Sequence, residues 1–135
     1  MRRLFADAHF YIALLNTGDT YHTIARAVAQ EVSRDQLVTS EPIFVEVLAF
    51  FSKSDAYGRE RAVELVDKSQ ADARTIIVPQ TPELFRAGLD LYRGRLDKSY
   101  SLTDCMSMAI CEDEGITQVL THDRHFAQEG YEILT

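Results

Sequence analysis

A chain of 135 residues has the length of one ordinary domain and can bury a core without disulfides or a structural metal. Apolar residues make up 46% of it and charged residues 26%, a balance that excludes an intrinsically disordered chain. The formal net charge of −7 argues against a nucleic-acid partner, because affinity for phosphate comes from Lys and Arg. Two bound divalent cations would add four positive charges and leave −3, so the charge weakens this function without excluding it.

Neither a secretion signal nor a membrane span is evident. Asp7 and His9 interrupt the apolar run that follows the basic residues at the start, and the longest apolar run, residues 42–51, is too short to span a bilayer. We therefore expect a cytoplasmic protein without a membrane partner. Cys105 and Cys111 lie six residues apart in a predicted helix, too far for a disulfide, which favours buried thiols in a reducing compartment.

The first half of the chain alternates short strands with helices. Arg3–Ala6 is predicted to be a strand and Ala8–Leu15 a helix. Residues 21–33 carry apolar side chains at helical spacing. Residues 36–39 then indicate a strand, and residues 42–53 a strongly apolar helix.

The second half continues this alternation. Thr75–Val78 is short and β-branched, as is typical of a strand. Leu102–Glu114 is predicted to be a helix that ends at Gly115, where a glycine commonly terminates a helix. The other predicted elements are helices at 59–73 and 82–94, a strand at 118–121, a helical turn at 124–128 and a last strand at 131–134.

Strands separated by helices predict a parallel sheet covered on both faces. We expect a three-layer α/β/α domain with a central, mainly parallel sheet of about five short strands. No repeat, low-complexity stretch or linker divides the chain, so residues 1–135 are interpreted as a single domain. Sites in such sheets form outside the carboxyl ends of the strands.

Three aspartates lie where such a site would form. Asp7 directly follows the first strand, Asp123 follows the strand at 118–121, and Asp104 opens the helix between them. Each also has a purely structural interpretation, because Asp is favoured at helix N-termini. In particular, Ser101 and Asp104 have the spacing of a capping box.

Glu46 is harder to explain by local structure. Its neighbours three and four residues away on the helix are all apolar, and an unpaired carboxylate there would be costly if buried. Either it reaches solvent at the rim of the core, or it is held for a cation. Glu41, five residues earlier, is better explained as a first-turn residue that interacts with the helix dipole.

Clustered carboxylates repel one another, and one would be protonated unless a cation joined them. Oxygen ligands without cysteine suit Mg²⁺ or Mn²⁺. Such a site can activate water and stabilise the charge that develops on a phosphodiester, with one or two ions. The nucleotide-binding glycine motifs and the GxSxG hydrolase motif are absent from the sequence.

Four segments resemble the successive acidic motifs of PIN domains, most closely those of VapC-type toxin ribonucleases. The strings Ser-Leu-Thr-Asp-Cys and Asp-Arg-His-Phe are the most specific parts, and the resemblance covers essentially the whole chain. The segments are Leu4-Phe5-Ala6-Asp7, the run from Thr39 to Leu48 with Glu46, Tyr100-Ser101-Leu102-Thr103-Asp104-Cys105, and Leu120-Thr121-His122-Asp123-Arg124-His125-Phe126.

This resemblance implies a Mg²⁺- or Mn²⁺-dependent endoribonuclease whose substrate is RNA. Its catalytic and metal-binding residues would be Asp7, Glu46, Asp104 and Asp123. It also implies a homodimer and a small antitoxin protein as partner. One alternative is a catalytically silent PIN module that binds RNA or a protein. Another, a phosphoryl-transfer enzyme or receiver domain, is disfavoured because no suitable lysine follows Asp123.

Each residue that could assist the four acids has two interpretations. Ser40, Ser101 and Thr103 either hydrogen-bond the ligating carboxylates or simply cap helices. Five residues either contact RNA phosphates or belong to an ordinary solvated face: Arg93, Arg95, Lys98, Arg124 and His125. His122, Asp123 and His125 also raise the alternative of a zinc site, which lacks a further ligand. His9 and His22 are interpreted as surface or first-turn residues.

Overall fold

The computed structural model describes residues 1–134. It contains five strands and seven helices that alternate along the chain. The strands are β1 (Arg3–Ala6), β2 (Gln36–Ser40), β3 (Thr75–Val78), β4 (Gln118–Leu120) and β5 (Glu132–Leu134). The helices are α1 (Ala8–Leu15), α2 (His22–Glu31), α3 (Glu41–Phe50), α4 (Ala56–Ala71), α5 (Pro82–Arg93), α6 (Leu102–Glu114) and α7 (His125–Gln128), and a 3-10 turn (Phe51–Lys53) follows α3.

The strands form one sheet in the order β3-β2-β1-β4-β5, and all four pairings between the described strands are parallel. The predicted α/β architecture with a parallel five-stranded sheet is therefore confirmed. From β1 the chain builds outward through β2 and β3 on one side, and later through β4 and β5 on the other. The strand order thus reverses between β1 and β4, and such a switch point opens a crevice at the carboxyl ends of the two strands.

The burial of the central strand, β1, shows that the sheet is covered on both faces. Leu4, Phe5 and Ala6 are fully buried, as expected for a parallel strand with helices on either side. In register, Phe5 pairs with Val119 and Ala6 with Leu120. The residues that follow these strands are therefore brought side by side.

Helices α5 and α6 pack closely on one side of the sheet. A Cβ atom at Gly88 of α5 would collide with the Met106 side chain of α6, so only glycine permits this approach. Gly115 ends α6 in the left-handed conformation with φ of 68°, as the sequence predicted. Cys105 and Cys111 are free thiols, and both are buried.

Most predicted helix boundaries are within two residues of the observed ones, and the two larger differences are at the start of α4 and the end of α3. The helix predicted at 59–73 begins at Ala56, because the Asp55 side chain accepts a hydrogen bond from Gly58 N at 2.8 Å and caps it. The helix predicted at 42–53 ends at Phe50 and tightens into the 3-10 turn. In residues 1–134 no helix is both long enough and apolar enough to cross a membrane.

Candidate metal centre at the carboxyl ends of the strands

Asp7 lies at the centre of the candidate site, directly after β1. The residue is 1% exposed, and its carboxylate makes no cap hydrogen bond to α1. Instead, Asp7 Oδ2 accepts hydrogen bonds from Thr121 Oγ1 at 2.8 Å and from His9 Nδ1 at 2.9 Å. The capping interpretation therefore does not explain the position of this carboxylate.

Asp123 follows β4 on the neighbouring strand. Its backbone N–H donates to Thr121 Oγ1 at 2.9 Å, so a single hydroxyl joins the loops that carry Asp7 and Asp123. Asp123 Oδ1 accepts from His125 N at 3.0 Å. Its Oδ2 lies 3.4 Å from His125 Nδ1 and 3.8 Å from His9 Nδ1, which places it between two imidazoles.

Asp104 combines two roles that the sequence presented as alternatives. It completes the predicted capping box, because its backbone N–H donates to Ser101 Oγ and its Oδ2 accepts from Ser101 N, each at 3.0 Å. The same Oδ2 lies 3.0 Å from His125 Nδ1. Burial raises the pKa of Asp104, against the lowering effect of the Ser101 N–H and His125. Asp104 therefore caps α6 and also lies among the other acids.

Glu46 lies on α3, half-buried, and faces the aspartates. Burial raises its pKa from 4.5 to about 7, and the charges of Asp7 and Asp104 add to the effect. Within residues 1–134 no hydrogen bond reaches its carboxylate. Glu41 is exposed at the first turn of α3 and accepts a hydrogen bond from Gln80 N at 2.6 Å, away from the cluster.

The structure brings the metal-ligand atoms of the described residues into two groups of three. One group is Asp7, His9 and Asp123, and the other is Asp104, Asp123 and His125; in each, the atoms lie within 4.8 Å of one another. Asp123 belongs to both groups. Glu46 belongs to neither, although its pKa responds to the charges of both.

His9 and His125 are members of the cluster in roles that the sequence analysis did not assign to them, since it considered His125 for phosphate contact or zinc and His9 as a surface or first-turn residue. The hydrogen bond to Asp7 raises the pKa of His9 from 6.5 to about 9, so this imidazole is positively charged at neutral pH. Each histidine stands two residues after an acid, in Asp7-Ala8-His9 and Asp123-Arg124-His125, and this repeated spacing was the available signal. His122 instead stacks on Tyr21, so the three residues considered for zinc do not converge.

The hydroxyl that supports the carboxylates is that of Thr121, which sequence reasoning missed. Ser40 Oγ accepts from Ile43 N at 3.3 Å and caps α3. Ser101 supports Asp104 through its backbone N–H, while its hydroxyl accepts a hydrogen bond. Thr103 is half-buried, and its hydroxyl has no hydrogen bond in the described part of the chain.

The model of the PIN-domain family matches residues 4–129. The chain belongs to the PIN-domain family. Proteins of this family are generally nucleases and usually use divalent metals.

Two solved structures share the fold. The chain is similar to VapC20 from Mycobacterium tuberculosis, a toxin that cleaves the sarcin–ricin loop, with a TM-score of 0.83, 21% identity and coverage of 95% of each chain. It is also similar to FitAcB from Neisseria gonorrhoeae, with a TM-score of 0.69, 14% identity, and coverage of 98% of this chain and 96% of that one. No curated protein sequence matches the chain at a significant level.

Most of the basic residues proposed for RNA contacts in this PIN domain are engaged in ion pairs. Arg95 binds Glu129 through Nε and Nη2, at 2.7 Å for the shortest contact, and Tyr100 donates to the same carboxylate. Arg93 pairs with Asp90 at 3.2 Å and Lys98 with Asp97 at 3.6 Å. Arg124 is exposed at the start of α7, next to Asp123.

The raised pKa of Glu46 predicts how the stability of the metal-free PIN domain depends on pH. Between pH 4.5 and about 7, the folded protein keeps a proton that the unfolded chain has released. The free energy of unfolding therefore falls as pH rises through this window. The raised pKa of His9 extends the fall, because its stabilising charge is complete below 6.5 and is lost as pH approaches about 9.

In EDTA, Glu46→Gln should therefore raise the melting temperature at about pH 8 and change it little at about pH 5, where the native glutamate is protonated. Thermal melts across this range measure the effect. Glu64→Gln, at an exposed glutamate of α4, is the matched control and should change neither value. A Glu46→Gln variant that is less stable than the parent at the higher pH would show that the carboxylate has a favourable partner.

Proposed function

We propose that this PIN domain is a metal-dependent endoribonuclease of the toxin type, which hydrolyses RNA phosphodiester bonds at the site of Asp7, Glu46, Asp104 and Asp123. The observation that carries the proposal is the convergence of three carboxylates, those of Asp7, Asp104 and Asp123, from three separate segments at the switch point between β1 and β4. Glu46, on a fourth segment, lies near enough for the charges of Asp7 and Asp104 to raise its pKa. Local helix capping explains only one of the four side chains, Asp104, and only in part.

The donor set fits a hard divalent cation. Each group of ligand atoms has two carboxylates, whose oxygens Mg²⁺ and Mn²⁺ prefer, and one imidazole, whose Nδ1 is hydrogen-bonded to a carboxylate. The two buried thiols lie outside both groups. Asp7, Asp104 and Asp123 would hold the ion, with Glu46 completing the acidic surroundings. A cation there would supply activation of a water molecule and stabilisation of the charge that develops on the phosphodiester.

The chain's own residues hold the carboxylates in place before any ligand arrives. Thr121 and His9 orient Asp7, and the Ser101 N–H and His125 orient Asp104. Each of these two carboxylates is therefore fixed by two donors, as metal-binding groups usually require. In the metal-free protein the positive charge of His9 also reduces the repulsion among the acids.

RNA must approach this acidic edge despite the net charge of −7. Arg124 is placed to contact a phosphate, since it is exposed and directly follows Asp123. Arg95 is held by Glu129, so it would contact RNA only as part of that ion pair. Arg93, Lys98 and His125 remain candidates for the same role.

Metal-dependent cleavage is the direct test. Purified protein with Mn²⁺ or Mg²⁺ should cleave RNA, and EDTA should remove the activity. The substrates include mixed RNA and a sarcin–ricin loop hairpin, because the structurally similar VapC20 cleaves that loop. Asp7→Asn and Asp104→Asn should each reduce the cleavage rate by orders of magnitude, because each removes a ligand charge.

Asp113→Asn is the matched control for this assay, since Asp113 is an exposed aspartate on the same helix as Asp104. Its rate should equal that of the parent. An Asp104→Asn variant as active as the parent would reduce Asp104 to a capping residue. A parent that binds RNA without cleaving it would favour the silent PIN module instead.

Metal binding should also stabilise the fold, independently of activity. A ligand that binds only the folded protein adds about 2.7 kcal/mol at one hundred times its dissociation constant. For a domain of this size, the melting temperature should rise by on the order of 10 °C. Glu46→Gln should lose part of this gain and Glu64→Gln should keep it. If millimolar Mn²⁺ does not change the melting temperature of the parent protein, the proposal of a metal site is wrong.

We propose that the protein forms a homodimer and that a small antitoxin protein is a further partner. Support comes from α3, where Val45 and Leu48, one turn apart, are 67% and 38% exposed and form an apolar patch that another protein surface would cover. Phe50, on another side of the helix, is 53% exposed. The similar VapC20 structure is that of a toxin, and this similarity of fold supports the proposal of an antitoxin partner.

Light scattering should give about twice the chain mass of 15.3 kDa at micromolar concentration. Val45→Lys should convert the dimer into a monomer, because it places a charge in the apolar contact. Leu96→Lys, at a residue that is 77% exposed elsewhere, is the matched control and should remain dimeric. A parent protein that is monomeric would refute the dimer.

A further inference from the structure

Three aromatic rings form a continuous series beside the carboxylates. They belong to Tyr21, His122 and His9, and we name this series the Tyr21 platform. The rings of Tyr21 and His122 are stacked, with centroids 4.0 Å apart and an interplanar angle of 5°. His122 meets His9 edge-on, with centroids 5.0 Å apart. His9 in turn donates to Asp7 at 2.9 Å, so the platform leads directly from the candidate metal centre.

Backbone structure holds both stacked rings in place. His122 lies between the end of β4 and Asp123, in the loop that Thr121 ties to Asp7. Tyr21 immediately precedes α2, where its N–H donates to Asp19 Oδ1 at 2.8 Å and its carbonyl accepts from Ala25 N at 2.8 Å. A stack that is fixed in this way costs little further ordering when a ligand binds.

Tyr21 remains accessible although His122 covers one of its faces. The residue as a whole is 37% exposed. Ile24, one turn further along α2, is 43% exposed. An accessible aromatic side chain with an apolar neighbour, beside the candidate metal centre, can therefore contact a flat ligand.

We propose that the Tyr21 platform stacks a nucleobase of the RNA substrate, next to the phosphodiester that the carboxylate site cleaves. The inference rests on the proposed nuclease function and adds a base-binding subsite to it. Unstacked bases of single-stranded RNA bind to aromatic side chains through their π-faces. The platform contributes this stacking surface, whereas Arg124 lies on the other side of Asp123 in the chain and is the candidate for phosphate.

The absence of tryptophan from the sequence permits a direct probe. In Tyr21→Trp the indole keeps a stacking face and becomes the single tryptophan fluorophore. Short single-stranded RNA, added in EDTA so that it is not cleaved, should quench this fluorescence. Oligonucleotides with one abasic ribose at successive positions should locate the base responsible, because one of them should no longer quench.

Tyr57→Trp is the matched control, since Tyr57 is a 65% exposed tyrosine on α4. Its fluorescence should not depend on which base is missing. Quenching of Tyr21→Trp that is equal for intact and all abasic RNAs, or equal quenching in the control, would overturn the platform.

Cleavage kinetics separate binding from a structural role. Tyr21→Leu keeps an apolar side chain without a π-face and should raise KM for RNA by about tenfold, with a smaller change in kcat. Tyr21→Phe restores the ring and should return KM to within about twofold of the parent. If Tyr21→Leu destabilises the fold, its melting temperature will fall. The fluorescence experiment on Tyr21→Trp then decides whether a base stacks on this side chain.

The outcomes distinguish this proposal from the function on which it rests. A parent that cleaves RNA, with a Tyr21→Leu variant of unchanged KM, overturns the platform alone. A parent that neither binds nor cleaves RNA overturns the nuclease proposal and the platform together. A KM effect in Tyr21→Leu that Tyr21→Phe does not rescue would overturn stacking as its cause.

Discussion

Repulsion among four carboxylates at one edge of the sheet is the constraint around which the surrounding structure is organised. Asp7 and Asp104 are buried, and Glu46 is half-buried. The negative charges of these residues and of Asp123 repel one another, which raises the free energy of the folded state. Two imidazoles and one hydroxyl lie between the acids and partly offset this cost. Under the proposed function, a bound cation would relieve the remaining repulsion, and the metal-free protein would be less stable than the metal-bound one.

Parallel topology makes this concentration of charge achievable. Because β1 and β4 are neighbours that run in the same direction, their carboxyl ends place Asp7 and Asp123 side by side, although they lie far apart in sequence. The helix that precedes β4 begins near the same edge and brings Asp104, while α3 follows β2 and brings Glu46. Asp7 and Asp104 lie at the starts of α1 and α6, Asp123 lies in the loop between β4 and α7, and Glu46 lies in the middle of α3.

The same edge also carries aromatic and basic side chains. Acids occupy the switch point itself, the stacked Tyr21 and His122 lie on one side of His9, and exposed Arg124 adjoins Asp123. Under the proposed function, this separation would allow a cation, a base and a phosphate to bind to chemically different surfaces. It would also reconcile an acidic chain with the proposed RNA substrate, because affinity need not come from net charge alone.

The sequence by itself determined the alternation of strands and helices and the parallel sheet, because hydrophobic periodicity and turn residues are local signals. The choice of Asp7, Glu46, Asp104 and Asp123 as one site rested on their resemblance to PIN motifs, and it stays a prediction. The sequence also predicted the capping box of Asp104 and the αL glycine at position 115. It could not decide between cap and cluster member for Asp104, nor show that Thr121, His9 and His125 hold the acids. Those contacts join residues from β1, β4 and α6, and side-chain distances across the sheet depend on register and packing, which no local pattern encodes.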